Sequence, residues 1–216
     1  MRVNQEFAST LTPGSLILDA GAGSQPYREL FNHCRYEAAD FEMVDKEYAK
    51  STYVCDLSSI PVESERFDAI ALNQVLEHLS EPLRVLRELR RVLKPGGRMI
   101  CTAPLFYEEH EVPFDFYRYT QFAWRKMMED VDLKIEKLDW LEGYFGTVAY
   151  QFETASRYLP QRRSRDLPWW TAAALPAAKL FCRVMAPVFY SMDETLKFKD
   201  KGYPKNYVVI VHRPLL

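Results

Sequence analysis

The apolar run Leu16-Ile17-Leu18 passes directly into Asp19-Ala20-Gly21-Ala22-Gly23. Such a run closed by an acid and two spaced glycines predicts a buried strand ending in a tight turn. Glycine accepts the positive φ a turn of this kind demands and lets a ligand approach the backbone closely. In an open α/β sheet the crevice at that turn lies beyond the carboxyl ends of the strands, where the strand order reverses. This is a position for a cofactor, and it confines the chain to a narrow set of folds.

The rest of the chain repeats the theme. Short apolar runs bounded by Gly, Pro or Asp alternate with helical periodicity to about residue 140, as expected of successive β-α units forming a parallel sheet. The expected strands cover residues 16–19, 36–40, 52–55, 67–72, 98–102, 133–138 and 207–212. The clearest helix is expected over 81–94, with Ser80 as its cap, Pro82 in its first turn, and an apolar stripe of Leu86, Leu89 and Leu93. Arg84, Arg87, Arg90 and Arg91 then face mainly water, and Pro95-Gly96-Gly97 is expected to end the helix.

A length of 216 residues suits one well-buried domain, residues 1–216, and falls short of two independent ones. Apolar residues at 48% and charged residues at 27% exclude a disordered chain. A formal charge of −2 supplies no electrostatic footprint for nucleic acid, and none is expected as a partner. The four cysteines, Cys34, Cys55, Cys101 and Cys182, form no C-x-x-C pair and read as reduced thiols. With no apolar leader in MRVNQEFASTLTPGS, the expected compartment is the cytoplasm.

A lone Gly-x-Gly is a weak signal, and Pro26 stands where a dinucleotide fingerprint needs its third glycine, which argues against a nicotinamide-dependent oxidoreductase. Specificity comes from the ordered polar strand ends: Asp19, then Asp40, then Asp56-Leu57, then Asn73-Gln74. Together these line one elongated pocket.

The segments ILDAGAGSQPYREL, YEAADF, CDLSSIPVESERFDAIALNQVLEHL and RVLKPGGRMICTAP, in that order, resemble the class I S-adenosylmethionine-dependent methyltransferases, specifically their small-molecule and glycan-associated subgroup. The resemblance covers about residues 14–120. It implies a Rossmann-like, doubly wound, mostly parallel seven-stranded sheet with a helical insertion before the last strand. It also implies S-adenosylmethionine as cofactor and S-adenosylhomocysteine as product. Carried over by residue, it sets Asp19, Ala20, Gly21, Gly23 and Tyr27 around the methionine part, Asp40 on the ribose hydroxyls and Phe41 beside the adenine. Asp56 and the Leu57 backbone would meet the adenine amino group, and Asn73 and Gln74 would close the pocket near the sulfonium. Ser24 departs from the commonest glycine motif of the family.

Methyl transfer from a sulfonium is an in-line displacement, so alignment and exclusion of water matter most. An oxygen acceptor benefits from a base. His110, in TAPLFYEEHEVPFDFYRYT after the fifth strand, is the leading candidate, with Asp115 to orient it and Tyr117, Arg118 and Tyr119 to hold an acceptor. A structural role for this loop is the competing reading. Glu77-His78 ranks below His110 and reads as helix packing near the cofactor. Glu108, Glu109, Glu111 and Asp115 around His110 offer metal-type ligands, yet acids clustered in a loop are more often solvated, and no metal is expected.

Residues 143–204 form a long insertion before the last strand. Lys179 and Arg183 interrupt its apolar stretch, and Pro168, Pro176 and Pro187 would break a continuous span, which argues against a transmembrane helix. Two readings stay open. One is a helical cap or substrate-recognition element. The other is peripheral membrane contact at the inner surface through 162–190, with Trp169, Trp170 and Phe181 dipping into a bilayer beside Arg162, Arg163 and Arg165. The expected function is methyl transfer to an oxygen of a small molecule such as a glycan or lipid-linked precursor. A non-catalytic cofactor-binding or regulatory partner is the alternative.

Overall fold

The computed structural model describes residues 1–43, 47–160 and 168–215. The elements run α1 (Arg2–Ser9), β1 (Leu16–Ala20), β2 (Arg35–Asp40), β3 (Tyr53–Val54), β4 (Phe67–Asn73), α2 (Pro82–Val92), β5 (Leu93–Pro104), α3 (Gln121–Asp130), β6 (Lys134–Trp140), α4 (Tyr144–Tyr158), α5 (Thr171–Leu196) and β7 (Asn206–His212). Seven strands form one sheet in the order β3-β2-β1-β4-β5-β7-β6. The pairs β3-β2, β2-β1, β1-β4 and β4-β5 are parallel, and β7 runs antiparallel to β5, with Ile100 opposite Ile210. This is the Rossmann-like, mostly parallel sheet expected. The order reverses between β1 and β4, so a crevice opens at the ends of these two strands.

Every residue of β1 is buried, and β4 is buried save for the partly exposed Asp68. That explains why both read as continuous apolar runs rather than alternating ones. Helix α2 buries Val85, Leu86, Leu89 and Val92, each fully buried leucine being worth about 1.5–3 kcal/mol. Three of its arginines pair with acids: Arg84 with Glu81, Arg90 with Asp132 at 2.7 Å, Arg91 with Glu88 at 2.7 Å.

Two local expectations fail. The cap of α2 is Glu81 rather than Ser80, and among the described residues no side chain caps it; Pro82 at the start of the helix removes one unpaired N–H, and the Arg84 amide donates to the Glu81 carbonyl at 3.0 Å. Pro95-Gly96-Gly97 does not end the helix either. The helix stops at Val92, and the chain enters β5 at once, carrying the Pro-Gly-Gly segment across a register shift opposite Phe67 and Ala69.

The chain divides into two compact units, residues 1–139 with 206–216, and residues 140–205. In the second, α4 and α5 run antiparallel, Phe145 meeting Phe189 and Phe152 meeting Phe181 edge to face with ring centres 6.0 and 5.7 Å apart. Helix α5 passes uninterrupted through Pro176 and Pro187. The expected break does not occur: each proline removes one backbone hydrogen bond, whereas aromatic packing against α4 holds the helix together. Among the described residues no helix is long and apolar enough to cross a membrane. Arg162, Arg163 and Arg165 lie outside the described residues, while Trp169, Trp170, Leu180, Phe181 and Val184 are exposed.

Candidate active site

The glycine turn closes β1 against β2. The Gly21 amide donates to the Ala39 carbonyl at 2.8 Å, and the Gly23 amide donates to Asp40 Oδ2 at 2.8 Å. Gly21 has φ +73°, and a Cβ added there would sit 2.4 Å from Val75 Cγ2, so a side chain at this position is strained and displaces Val75. Asp40, at the end of β2, also accepts from the Glu42 amide at 3.0 Å. One backbone donor per carboxylate oxygen fixes the group in orientation and leaves lone pairs for a ligand.

A cavity of about 290 Å³ lies at the carboxyl ends of the strands, lined by Gly21, Asp40, Phe41, Asp56, Leu57 and Gln74, with Val75, His78, Val85, Glu111 and Phe114 among its other walls. Six of the residues expected around the cofactor thus come together. Asp56 also receives the Ser58 amide at 2.7 Å, so its carboxylate turns the local loop as well as facing the cavity. Phe41 is 54% exposed and free to cover a planar ligand.

Others stand behind the wall. Asp19 is buried and accepts a hydrogen bond from the Tyr36 hydroxyl. Burial pushes its carboxyl up to about 6, against the pull of that hydrogen bond, and the Asp40 charge adds to the rise. Ala20 is a buried strand residue, and Gly23 acts through its amide on Asp40. Half-buried Tyr27 is raised above the usual phenol range by burial and the Asp19 charge. Asn73 corrects the expectation that it closes the pocket. Its amide exchanges hydrogen bonds with Asn4 at 3.1 and 3.0 Å and accepts one from Thr102, which turns it away from the cavity. Gln74, with φ +53°, takes the wall position alone.

The loop after β5 is fastened to a short 3-10 turn, Leu76–His78, that follows β4. The Phe116 amide donates to the Glu77 carbonyl at 2.8 Å, His78 Nδ1 donates to the Phe114 carbonyl at 2.6 Å, and the Tyr119 hydroxyl donates to the Leu76 carbonyl at 2.9 Å. His110 is thereby brought to His78, ring centres 4.6 Å apart. The His110 amide donates to Asp115 Oδ2 at 2.9 Å, and its Nδ1 lies 3.1 Å from the Glu108 carbonyl and 3.4 Å from Asp115. Asp115 thus contacts both the backbone amide and the ring of His110.

Arg118 and Tyr119, expected at the acceptor, make their hydrogen bonds within the fold. The Arg118 guanidinium forks onto Asp115 at 2.6 and 2.8 Å and also donates to the carbonyls of Tyr107, Glu108 and Tyr117, while the Tyr119 hydroxyl is consumed inside the fold. Arg118 holds the Asp115 carboxyl far below the usual carboxylate range. Tyr117 donates to the Ser80 carbonyl at 3.2 Å and, with Arg118, borders a second, shallower hollow.

Glu77 is the group that sequence reasoning undervalued. Read as helix packing, it is completely buried with neither carboxyl oxygen hydrogen-bonded among the described residues, and burial pushes its carboxyl up to about 8. Its adjacency to His78 in sequence was the available signal; that His110 joins them is visible only in three dimensions.

Residues 18–101 match the family described as "Methyltransferase domain". The chain is 32% identical over 103 residues to "Probable tRNA methyltransferase 9B" from Bos taurus, covering 44% of this chain and 23% of that protein. It is 24% identical over 142 residues to "Ubiquinone/menaquinone biosynthesis C-methyltransferase UbiE" from Burkholderia mallei, covering 57% and 58%. The match therefore spans about a quarter of the first relative and somewhat over half of the second. A solved Haemonchus contortus phosphoethanolamine N-methyltransferase 2, in complex with S-adenosyl-L-methionine, shares the fold with a TM-score of 0.58 at 15% identity, over 99% of this chain and 52% of that one.

Proposed function

We propose that this protein is an S-adenosylmethionine-dependent methyltransferase acting on an oxygen of a small molecule, such as a glycan or a lipid-linked precursor. One observation carries the reading. The Asp40 carboxylate, clamped by the Gly23 and Glu42 amides, faces a cavity whose other walls are an aromatic face, a second carboxylate and an unbranched glycine turn. A carboxylate so held suits two vicinal ribose hydroxyls, and Phe41, Leu57 and Asp56 suit an adenine ring with its amino group.

When bound, the cofactor would supply an electrophilic sulfonium methyl group to the acceptor oxygen, with S-adenosylhomocysteine as the leaving group. Gly21 and Gln74 would hold the methionine end of the cofactor, with buried Asp19 standing behind the glycine turn. His110 takes the hydroxyl proton at Nε2. Its Nδ1 faces the Glu108 carbonyl, which can only accept, so Nδ1 carries the hydrogen and Nε2 the lone pair. Asp115 fixes the ring in that orientation.

The helical insertion, residues 143–204, is assigned to acceptor recognition. The exposed Leu180, Phe181, Val184 and Val188 of α5 support an apolar, lipid-linked acceptor or an approach to a bilayer surface. The C-methyltransferase relative, whose name places it in quinone biosynthesis, also supports a lipid-like acceptor, and the chain's charge of −2 favours one over a polyanion.

Calorimetric titration with S-adenosylhomocysteine tests the pocket. The intact protein is expected to bind and Asp40→Ala to lose at least about tenfold in affinity, since a hydrogen bond to a charged group contributes roughly 1.5–3 kcal/mol. Failure of the folded intact protein to bind either S-adenosylhomocysteine or S-adenosylmethionine would sink the reading.

A further inference from the structure

We propose that Glu77, His78 and His110 form a binding site for a divalent transition-metal ion at the edge of the cofactor cavity. One ligand atom from each of the three lies within 4.8 Å of the others, and the His78 Nε2 to Glu77 Oε1 separation is 3.9 Å. Two imidazoles and one carboxylate, with further coordination positions open, are a donor set suited to Zn²⁺, Co²⁺, Fe²⁺ or Mn²⁺ rather than to Mg²⁺ alone. Ligand atoms at about 2.1 Å from a tetrahedral ion stand roughly 3.4 Å apart, so small side-chain rotations close the site.

Three observations point to a cation rather than to packing. Glu77 is completely buried, and among the described residues neither oxygen has a hydrogen-bond partner, so two oxygen ligand atoms are held inside the fold with nothing to satisfy them. Both imidazoles are locked in the tautomer a metal needs. His78 Nδ1 donates to the Phe114 carbonyl and His110 Nδ1 faces the Glu108 carbonyl, so each leaves an Nε2 lone pair. Backbone carbonyls behind ligating histidines are the usual outer support of such sites. Finally, Glu111 Oε2 lies 3.9 Å from His78 Nε2 and supplies a second carboxylate.

His78 and Glu111 line the cavity, so the ion's open positions face the space where an acceptor would sit. An ion there coordinates an acceptor that offers a hydroxyl, or two neighbouring oxygens, and lowers the pKa of the hydroxyl it binds. With the ion bound His110 is a ligand, and the hydroxyl proton passes to solvent; without it the imidazole takes that proton. The acceptor role rests on the methyltransferase reading, whereas the metal site stands independently of it.

The test uses the full chain, stripped with a chelator and titrated with Co²⁺, followed by visible ligand-field absorption and calorimetry. One equivalent is expected to bind. Glu77→Gln and His110→Ala are each expected to weaken binding at least tenfold, while Glu109→Gln leaves it unchanged. S-adenosylhomocysteine titration of the same samples reports folding and the cofactor pocket separately. Loss of Co²⁺ binding in a variant that still binds S-adenosylhomocysteine supports the site. Co²⁺ binding by an intact protein that does not bind S-adenosylhomocysteine keeps the metal site and overturns the methyltransferase reading. The proposal is overturned if the intact protein takes up no Co²⁺, or if both ligand variants bind it as the intact protein does.

Discussion

Asn73, the last residue of β4, and Asn4, on α1, exchange two side-chain amide hydrogen bonds at 3.1 and 3.0 Å across 69 positions of sequence. Both are buried, so the pair ties the N-terminal helix to the central strand. Removing one partner strands the other without water, at a cost of about 1–3 kcal/mol. Asn4→Ala and Asn73→Ala should each lower the thermal midpoint, and the double variant should lose less than the sum of the two. A drop in S-adenosylhomocysteine affinity for Asn73→Ala without loss of stability would return Asn73 to the pocket wall.

Gly21 and Gly23 both have positive φ but differ in their surroundings. A methyl at Gly21 meets Val75, whereas one at Gly23 meets nothing within 4 Å among the described residues. Gly23→Ala should cost only the backbone strain, about 1 kcal/mol. Gly21→Ala should cost about 1–3 kcal/mol more and reduce cofactor affinity. Adding Val75→Ala should relieve Gly21→Ala and leave Gly23→Ala unrelieved, as read by melting curves and calorimetry.

Asp19 makes a pH prediction. Its carboxyl stands near 6 in the fold against an ordinary 3.8, so the native state holds the proton more tightly than the unfolded chain. Its contribution is therefore full at low pH and is lost as pH rises from about 4 to about 6, an effect on the order of 3 kcal/mol. Asp19→Asn should remove that slope from denaturant-derived stability measured across this window. An unchanged slope would show that Asp19 titrates normally.

The Arg118 fork on Asp115 holds the loop that carries His110. Arg118→Lys keeps the charge and loses the planar, bidentate geometry. Turnover should fall by on the order of 10- to 100-fold through misplacement of the loop, with S-adenosylhomocysteine affinity unchanged. Equal losses in both would place Arg118 at the cofactor instead. Because Asp115 lies far below the usual carboxylate range, the pair should stay ionised well below pH 4, its stabilising contribution being full above about 4 and lost progressively as pH falls further.

Much of this was legible in the chain itself because it depends on neighbours in sequence. The run into Asp19-Ala20-Gly21 predicts strand and turn, the leucine stripe predicts α2, and the acids at successive strand ends predict a pocket, since parallel strands present their carboxyl ends on one side. The tertiary structure alone decided what depends on pairing through space. It placed β7 antiparallel between β5 and β6. It carried α5 through two prolines by packing on α4. It buried Arg213 at 2.7 Å from both the Leu93 carbonyl and Glu65, a contact no local pattern announces. Above all, it turned Asn73 away from the cavity and brought His110 onto Glu77 and His78. Local sequence sets φ/ψ preference and which face is apolar; which of two adjacent polar side chains faces a cavity is set by partners tens of residues away.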